Sequence, residues 1–346
     1  MSGLPTFVRP RGRVTLKDVA EEVGVSVNTV SRALTGKPDV GPETRARVRQ
    51  AAERLDYTPN LLARSLVQGR TRTVGLVVTD CTNAFYATLI RAVEETVSRY
   101  GYGLLLATAN EDPTKEAAGL RLLQERRIDG LLLSPVRVEA THVAALAAEQ
   151  IPHVLLSRRP AGYQGYFVGT DNLRGARLAV AHLVELGHHR IAHLSRADTV
   201  SSAVERTQGY RSELQRHGIA FDPDFVLTAP ATVAGGAEAV PHLLKLNPRP
   251  SAIFAYSDLQ AIGLQLALRD VGLRVPEDVS IIGFDGIELA SYVSPPLTTI
   301  AQDIPRIGTL GAEILVAQLT GTAPQRGSRL LRPKLVVRGS TGPVHA

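Results

Sequence analysis

The sequence predicts an α/β protein in which a small helical head precedes a larger region of alternating strands and helices. Residues 14–59 carry apolar side chains at helical spacing in three short runs. From Thr73 onward, apolar runs of five or six residues alternate with amphipathic helices. Such alternation is typical of parallel sheets buried on both faces, and 346 residues are enough for about two domains.

Composition excludes several classes of protein. The hydrophobic content of 44% is ordinary for a globular chain. We find no apolar run of about 18 residues that could cross a membrane, and "MSGLPTFVRPRGR" lacks the apolar core of a secretory signal. We therefore expect a cytoplasmic protein without a membrane partner. The single cysteine, Cys81, has no internal disulfide partner and is expected to be a small packed residue after a strand.

The positive charge is concentrated at one end of the chain. Residues 1–72 contain 13 Lys and Arg against seven acidic residues, which accounts for the whole net charge of +6. A basic module of this kind is expected to contact the phosphates of a nucleic acid. Residues 1–13 have prolines, glycines and three arginines without periodicity, and are predicted to form a disordered basic arm.

The three short helices follow a recognisable order. Thr15 and Asp18 form a capping box at the start of the first helix. Gly24 ends that helix, because glycine readily takes the left-handed conformation of a tight turn. Ser26 caps the second helix, and the third begins at Pro42, where a missing N–H costs nothing. Helix, glycine turn, helix is the helix-turn-helix pattern.

The outward face of the second helix indicates what this pattern could bind. Val27, Asn28, Ser31 and Arg32 lie on that face, near the start of the helix. In a helix-turn-helix, these positions meet base edges in the major groove. Arginine can pair with guanine and asparagine with adenine. The alternative is a solvated face on a small three-helix bundle.

The head also resembles a known family. The segments that carry the resemblance are "VTLKDVAEEVGVSVNTVSRAL", "DVGPETRARV", "LDYTPN" and "ARSL". In this order they resemble the DNA-binding segment of the LacI/GalR family of bacterial transcription regulators. The resemblance continues through "DGLLLSP", "AVAHLVELGHHRIAHLS", "SDLQAIGLQLALRDVGLRVPEDVSIIGFD" and "SPPLTTI".

The resemblance implies a complete domain organisation. Residues 14–59 would be a lambda-repressor-like helix-turn-helix domain, and residues 60–71 a hinge helix. Residues 72–346 would form a two-lobed, periplasmic-binding-protein-like (type I) domain for effector binding and dimerisation. The expected lobes are an N-lobe of about 72–169 plus 302–327 and a C-lobe of about 170–301 plus 328–340. Such a protein would act at the nucleoid.

The resemblance also implies which residues contact DNA. In the family, two hinges of a dimer pair and insert a leucine into the minor groove, which unstacks and kinks the duplex. By position that leucine is Leu66, with Ala63 in the contact between hinges; a plain flexible linker is the alternative. The full DNA-binding set is Thr15, Ser26, Val27, Asn28, Thr29, Ser31, Arg32, Thr35, Tyr57, Asn60, Ala63 and Leu66.

A second set of residues is expected to bind an effector, because ligands of α/β lobes bind beyond the carboxyl ends of the strands. The implied set is Asn83, Phe85, Tyr86, Ser157, Arg206, Tyr256, Asp258, Asp285 and Gln302. Ser157 stands where the family commonly has aspartate, Ala84 replaces a proline, and Ser257 replaces a more usual asparagine. Alternatives are that the two aspartates cap helices and that the two aromatic residues after Asn83 belong to the core.

No catalytic or cofactor motif is present. The sequence has no Walker lysine loop, no G-x-G-x-x-G after a strand and no G-x-S-x-G elbow. His188 and His189 are adjacent on a turn, so a paired metal site is not expected. We therefore expect that the protein is not an enzyme and binds no cofactor.

The expected function is a homodimeric repressor that a sugar or sugar derivative releases from a palindromic operator. A corepressor-dependent repressor that responds to a nucleobase or another metabolite is one alternative. A solute-binding protein without DNA function is another. A dimer is favoured over a tetramer because no leucine-heptad segment follows Arg338.

Overall fold

A computed structural model describes residues 14–57, 70–137, 143, 146, 150–197 and 199–344. The chain divides into two compact units, the head (Met1–Thr71) and the two-lobed domain (Arg72–Ala346). The predicted basic arm, most of the hinge, and the hinge residues Asn60, Ala63 and Leu66 lie outside the described residues.

The head contains the three predicted helices, α1 (Leu16–Val23), α2 (Val27–Leu34) and α3 (Pro42–Arg54). The capping box at α1 is confirmed. The Thr15 N–H donates to Asp18 Oδ2 at 2.7 Å, and the Asp18 N–H donates to Thr15 Oγ1 at 3.4 Å. Gly24, with φ of +72°, ends α1 in the left-handed region, where a side chain would be strained.

Small apolar side chains form the core of the head. Val19, Val30, Ala33, Val48 and Ala51 are completely buried in one cluster. The larger apolar side chains lie at the edge of this core and are only partly buried; they include Leu16, Leu34, Leu55 and Tyr57. Because the buried set comes from all three helices, their packing fixes the orientation of α2.

The two-lobed domain contains two six-stranded sheets. The first lobe is built from β1 (Thr73–Val78), α4 (Ala84–Arg99), β2 (Gly103–Thr108), α5 (Pro113–Glu125), β3 (Gly130–Leu133), β4 (His153–Leu156), β5 (Phe167–Thr170), α10 (Ile304–Thr320) and β11 (Ser328–Leu331). The second is built from α6 (Asn172–Glu185), β6 (Ile191–Ser195), α7 (Ser201–Arg216), β7 (Val226–Thr228), α8 (Val233–Leu243), β8 (Ala252–Ala255), α9 (Asp258–Asp270), β9 (Ser280–Asp285), β10 (Thr298–Ala301) and β12 (Lys334–Val336).

The order and direction of the strands confirm the predicted parallel sheets. The first sheet has the order β2-β1-β3-β4-β5-β11, and all its pairs are parallel. The second has the order β7-β6-β8-β9-β10-β12 and is parallel except for β12. Central strands such as β3 and β8 are buried at every position, because helices cover both faces.

The chain passes between the lobes three times. It enters the second lobe after β5 and returns after β10 through α10, whose Ile304, Ile307 and Leu315 join the core of the first lobe. It crosses a third time between β11 and β12. The carboxyl ends of both sheets therefore stand next to the crossover segments, with a cleft between them.

Two expectations about this domain are wrong. The predicted return to the second lobe at residue 328 comes too early, since Ser328–Leu331 pairs with β5 in the first sheet, with Ser328 opposite Phe167. The edge strands β11 and β12 are four and three residues long, too short to show a pattern in the sequence. Cys81, expected to be packed, is exposed because it lies in the loop that leaves β1.

Candidate functional site

The start of α2 presents two kinds of side chain. Ser26 is the N-cap: its Oγ accepts the Thr29 N–H at 3.0 Å and lies 2.8 Å from Thr29 Oγ1. Val27 is 43% exposed, and Asn28 is exposed beside it. Ser26 and Thr29 therefore fix the first turn of α2, and the two residues between them face solvent.

Arg32 is engaged in an ion pair. Its guanidinium contacts the Asp39 carboxylate through Nε and Nη2, and both side chains are about half exposed. The hydrogen bond from Arg32 lowers the pKa of Asp39. An ion pair this exposed is weak. A guanine or a phosphate that offers better-placed acceptors can compete for the guanidinium.

The other predicted DNA contacts in the described head have structural roles. Thr15 caps α1, and Thr35 Oγ1 donates to the Ser31 carbonyl at 2.7 Å at the end of α2. Tyr57 is partly buried against the head core. Thr15, Ser26 and Thr35 are exposed but serve as helix caps. Val27, Asn28 and Arg32 are the exposed members of the predicted set in the described head that cap no helix.

A cavity of about 410 Å³ lies between the lobes. Its walls come from the segments that follow the carboxyl ends of strands in both sheets, as is usual for ligand sites of open α/β folds. Eight of the nine predicted effector contacts line it: Asn83, Phe85, Tyr86, Ser157, Arg206, Tyr256, Asp285 and Gln302. The predicted site is therefore one contiguous surface in the structure.

The aromatic wall belongs both to the cavity and to the core. Phe85 and Tyr86 are about 95% buried, with ring centroids 5.0 Å apart and nearly perpendicular planes. The Tyr86 hydroxyl lies 3.2 Å from Ser134 Oγ, and burial raises the pKa of Tyr86. Asn83 Oδ1 accepts the Phe85 N–H at 3.0 Å and caps α4. The core and ligand-contact interpretations of these aromatics are compatible.

Arg206 is held on every side. It is 4% exposed, and its Nε donates to Asn172 Oδ1 at 3.0 Å. Its Nη1 donates to the Tyr256 carbonyl, and its Nη2 lies 3.8 Å from Asp285 Oδ1. The guanidinium carbon is 3.6 Å from the Phe284 ring centroid. This rigid guanidinium can present directed N–H donors to polar groups of a ligand.

Asp285 lies at the centre of a polar chain that joins the lobes. Its Oδ1 accepts from Gln302 Nε2 at 2.7 Å, and Gln302 Oε1 accepts from Thr170 Oγ1 at 2.5 Å. Its φ of +131° is rare for a residue with a side chain. Burial raises the pKa of the Asp285 carboxyl, although Arg206 acts in the opposite direction. Strained backbone of this kind clusters at ligand sites.

Asp258 does not line the cavity, contrary to the sequence prediction. It is completely buried, and its Oδ2 accepts the N–H groups of Gly286 at 2.8 Å and Ile287 at 2.9 Å. The N-cap of α9 is Ser257, whose side chain lines the cavity instead. Because α9 begins at Asp258, one residue earlier than it would if Asp258 were its cap, the Asp258 carboxylate lies under the turn that follows Asp285 and supports it.

Sequence reasoning missed four charged residues of this cavity: Asp80, Glu111, Arg158 and Arg196. Glu111, Arg158 and Arg196 follow β2, β4 and β6 and line the space together. Burial raises the pKa of Glu111, but the Arg158 and Arg196 guanidiniums outweigh it and lower the pKa to about 2. The sequence shows that these residues follow strands, which makes them candidates for the cavity. It does not show that Glu111 contacts the two arginines, because the three residues are far apart in the chain.

The described residues provide neither a histidine metal site nor a membrane-spanning helix. His188 is buried, with its ring nitrogens 3.0 Å from Ser251 Oγ and 3.0 Å from Ser280 Oγ, so it is a core histidine. Within the part of the chain that the structure describes, no cluster of three His, Cys, Asp or Glu could hold a metal ion. No helix among those residues is long and apolar enough to span a bilayer.

A helix-turn-helix head followed by a two-lobed domain with a ligand-sized cavity defines a ligand-responsive DNA-binding protein. The model for "Bacterial regulatory proteins, lacI family" matches residues 15–60, and the "Periplasmic binding protein-like domain" model matches residues 180–341. The ribose operon repressor of Escherichia coli (strain K12) is 35% identical over 330 residues, which cover 94% of this chain and 99% of that protein.

Two solved structures are similar over nearly the whole chain. The lac repressor dimer bound to operator and the anti-inducer ONPF has a TM-score of 0.87 at 28% identity, covering 96% of this chain and 100% of that chain. The CelR–cellobiose complex has a TM-score of 0.73 at 34% identity, covering 95% and 100%. This chain belongs to the LacI family of bacterial regulatory proteins. It is a DNA-binding transcriptional regulator, and the resemblance found in its sequence is confirmed.

Proposed function

We propose that this regulator is a homodimeric repressor that leaves a palindromic operator when a sugar binds between its lobes. The observation that carries the proposal is the cavity between the lobes. It has a volume of about 410 Å³ and is lined by buried aromatic rings and by polar groups held in fixed orientations. Aromatic faces with a few fixed donors and acceptors suit a saccharide. The names of two relatives, a ribose operon repressor and a regulator complexed with cellobiose, support a sugar.

The head would read one half-site through the exposed start of α2. Asn28 and Arg32 carry the side chains suited to adenine and guanine, and Val27 can contact a thymine methyl group. Two heads related by a two-fold axis would require a palindrome. The lac repressor bound to its operator as a dimer supports this arrangement. Leu66 would insert into the minor groove at the centre of the site, with Ala63 and Asn60 in the paired hinges.

The effector would act through the relative position of the lobes. Both lobes supply side chains to the cavity, so a ligand that contacts both stabilises one closure angle over others. The first lobe begins at Thr73, directly after the hinge segment. A change in closure would therefore alter the spacing of the two hinges in a dimer and shift the equilibrium between DNA-competent and free states.

We further propose that the chain works in the cytoplasm, at the nucleoid, and catalyses no reaction. Its function requires access to operator DNA. The relatives that match over nearly the whole chain are repressors, which supports a regulator without enzymatic activity. A solute-binding protein without DNA function is disfavoured by the basic head, which carries all of the net charge.

Selection of bound sequences from random duplex DNA tests the proposal. The full-length protein is incubated with the library alone and with ribose, cellobiose, adenine, guanine or cytidine. We expect enrichment of a palindrome and loss of binding with one of the sugars. Enrichment that appears only when a nucleobase or nucleoside is added would replace this proposal with a corepressor-dependent repressor. No enrichment in any sample would contradict DNA regulation by this chain.

A further inference from the structure

One carboxylate in the cavity is shared by two guanidiniums from opposite lobes. Glu111 Oε2 and Oε1 accept from Arg158 Nη1 and Nη2 at 3.0 and 2.9 Å. Arg196 Nη1 donates to Glu111 Oε1 at 3.1 Å, and Arg196 Nη2 donates to Glu111 Oε2 at 3.2 Å. Paired N–H donors on both sides of one anion are the arrangement that proteins use to bind the carboxylate or phosphate of a ligand. In this chain, the anion is one of its own side chains.

The backbone at this point is held in a rare conformation. Asn110 and Glu111 have φ of +49° and +58°, so two successive residues with side chains occupy the left-handed region. Strain of this kind persists where the surrounding structure fixes it, and it clusters at ligand sites. The strained backbone of the loop after β2 therefore carries a residue, Glu111, whose side chain lines the cavity.

The three members of the cluster differ in exposure. The side chains of Arg158 and Arg196 are only 7% and 13% exposed, whereas that of Glu111 is 36% exposed. Burying the two cations without an anion would be costly. Glu111 is the most solvent-accessible member of the cluster. If its charge is lost, both guanidiniums remain in the cavity without the carboxylate that they share.

The charges that line the cavity are formally balanced. Three arginines and three acidic residues line it: Asp80, Glu111, Arg158, Arg196, Arg206 and Asp285. Arg206 faces Asp285 at 3.8 Å, so the anion shared by the other two arginines is Glu111. A ligand that enters the balanced cavity need not bring a charge. An anionic ligand would have to displace Glu111 or stand beside it.

We propose that Glu111 is a specificity-determining residue that occupies the anion position of the cavity and restricts the effector to uncharged ligands. This inference deepens the proposed sugar response and rests on it for the identity of the natural ligand. The site itself is predicted to discriminate against phosphate and carboxylate groups. Removal of the Glu111 charge opens the position between Arg158 and Arg196 to an anion from solution.

The test compares Glu111→Gln with Asp112→Asn in the full-length protein. Both changes remove one negative charge, but Asp112 does not line the cavity, and asparagine retains its capping of α5. Binding of inorganic phosphate, ribose and ribose phosphate is measured by titration calorimetry. We expect Glu111→Gln to bind phosphate and ribose phosphate at least about tenfold more tightly than wild type, because bidentate hydrogen bonds to an anion are strong. Asp112→Asn should match wild type.

A double variant keeps the test decisive. In Glu111→Gln combined with Arg196→Gln, the formal balance is restored and one of the two guanidiniums is gone, so the gain in phosphate affinity should disappear. Circular dichroism and a cooperative melting curve establish that each variant is folded. If folded Glu111→Gln gains no affinity for phosphate or ribose phosphate, the proposal is wrong. Tight binding of ribose phosphate by the wild type would overturn it equally.

Failure of this inference is distinguishable from failure of the proposed function. Phosphate binding by Glu111→Gln requires neither DNA nor a recognised sugar, because the probe reports only on the two guanidiniums. If phosphate affinity rises but no operator is found, the sugar-responsive repressor is wrong and the role of Glu111 in the cavity stands. If a neutral sugar releases DNA but phosphate affinity is unchanged, the opposite holds.

Discussion

The head and the cavity place their functional side chains by different means. In the head, Val27, Asn28 and Arg32 lie within six residues on one exposed helix face. In the cavity, Glu111 meets Arg158 and Arg196 from 47 and 85 residues away in the sequence. Helical spacing alone orients the first group, whereas only the convergence of strand ends assembles the second. The candidate DNA-contacting face therefore depends on one helix of the head, and the cavity depends on the whole two-lobed domain.

This comparison predicts that mutations will separate the two functions. Variants at the cavity should lose the effector response and keep operator affinity. Variants on α2 should change operator binding and leave effector affinity unchanged. The three tests below follow in order of expected effect.

Replacement of Arg206 by alanine should have the largest effect. The guanidinium bonds Asn172 and Tyr256 and faces Asp285, so its removal leaves a buried carboxyl without its cation. Truncating one partner of a buried charge pair in a binding site costs about 2–5 kcal/mol of affinity, so effector binding should weaken by about thirtyfold or more. Operator affinity without effector, measured by fluorescence anisotropy, should not change.

Arg211 provides the matched control for this experiment. It lies on the same helix, α7, and its guanidinium stacks 4.9 Å from the Phe221 ring, away from the cavity lining. Arg211→Ala should keep the effector response. An Arg206→Ala protein that still releases operator at the wild-type effector concentration would remove Arg206 from the ligand site.

Replacement of Arg32 by alanine should have an intermediate effect on one base position. If the guanidinium leaves Asp39 to bind a base, the loss should be about 1–3 kcal/mol of discrimination at that position. A series of operators with single base substitutions measures it. Arg54→Ala is the control, because Arg54 forms a comparable exposed ion pair with Glu22 but lies on α3. Equal base discrimination in wild type and Arg32→Ala would contradict direct readout by this residue.

Replacement of Ser26 by alanine should have the smallest effect, and it separates capping from base contact. Loss of an N-cap costs about 0.5–2 kcal/mol of stability, so the head should unfold at lower temperature while base preference is unchanged. Ser26→Asn retains a capping side chain and should retain stability. A change of base preference in Ser26→Asn at normal stability would instead show that Ser26 itself contacts DNA.

The site residues show how far sequence alone reaches. The resemblance predicts Arg206 as a ligand-binding arginine early on a helix over the cleft, and Asp285 as an aspartate that follows a strand. Both line the cavity. The prediction that Asp258 contacts the effector is wrong. Ser257, one residue earlier, caps α9, and the Asp258 carboxylate accepts the Gly286 and Ile287 N–H groups instead of facing the cavity. The short strand β11 was assigned to the wrong lobe because its partner, β5, is distant in the sequence.

The sequence by itself determined the three-helix head, its caps, the exposed face of α2 and the alternation that builds two parallel sheets. These features depend on neighbours within a few residues, where spacing and side-chain type are sufficient. Tertiary structure alone decided which strand ends meet and that Glu111 occupies the position between two arginines from opposite lobes. Such a contact requires three segments far apart in the chain, and no local pattern encodes the distance between them.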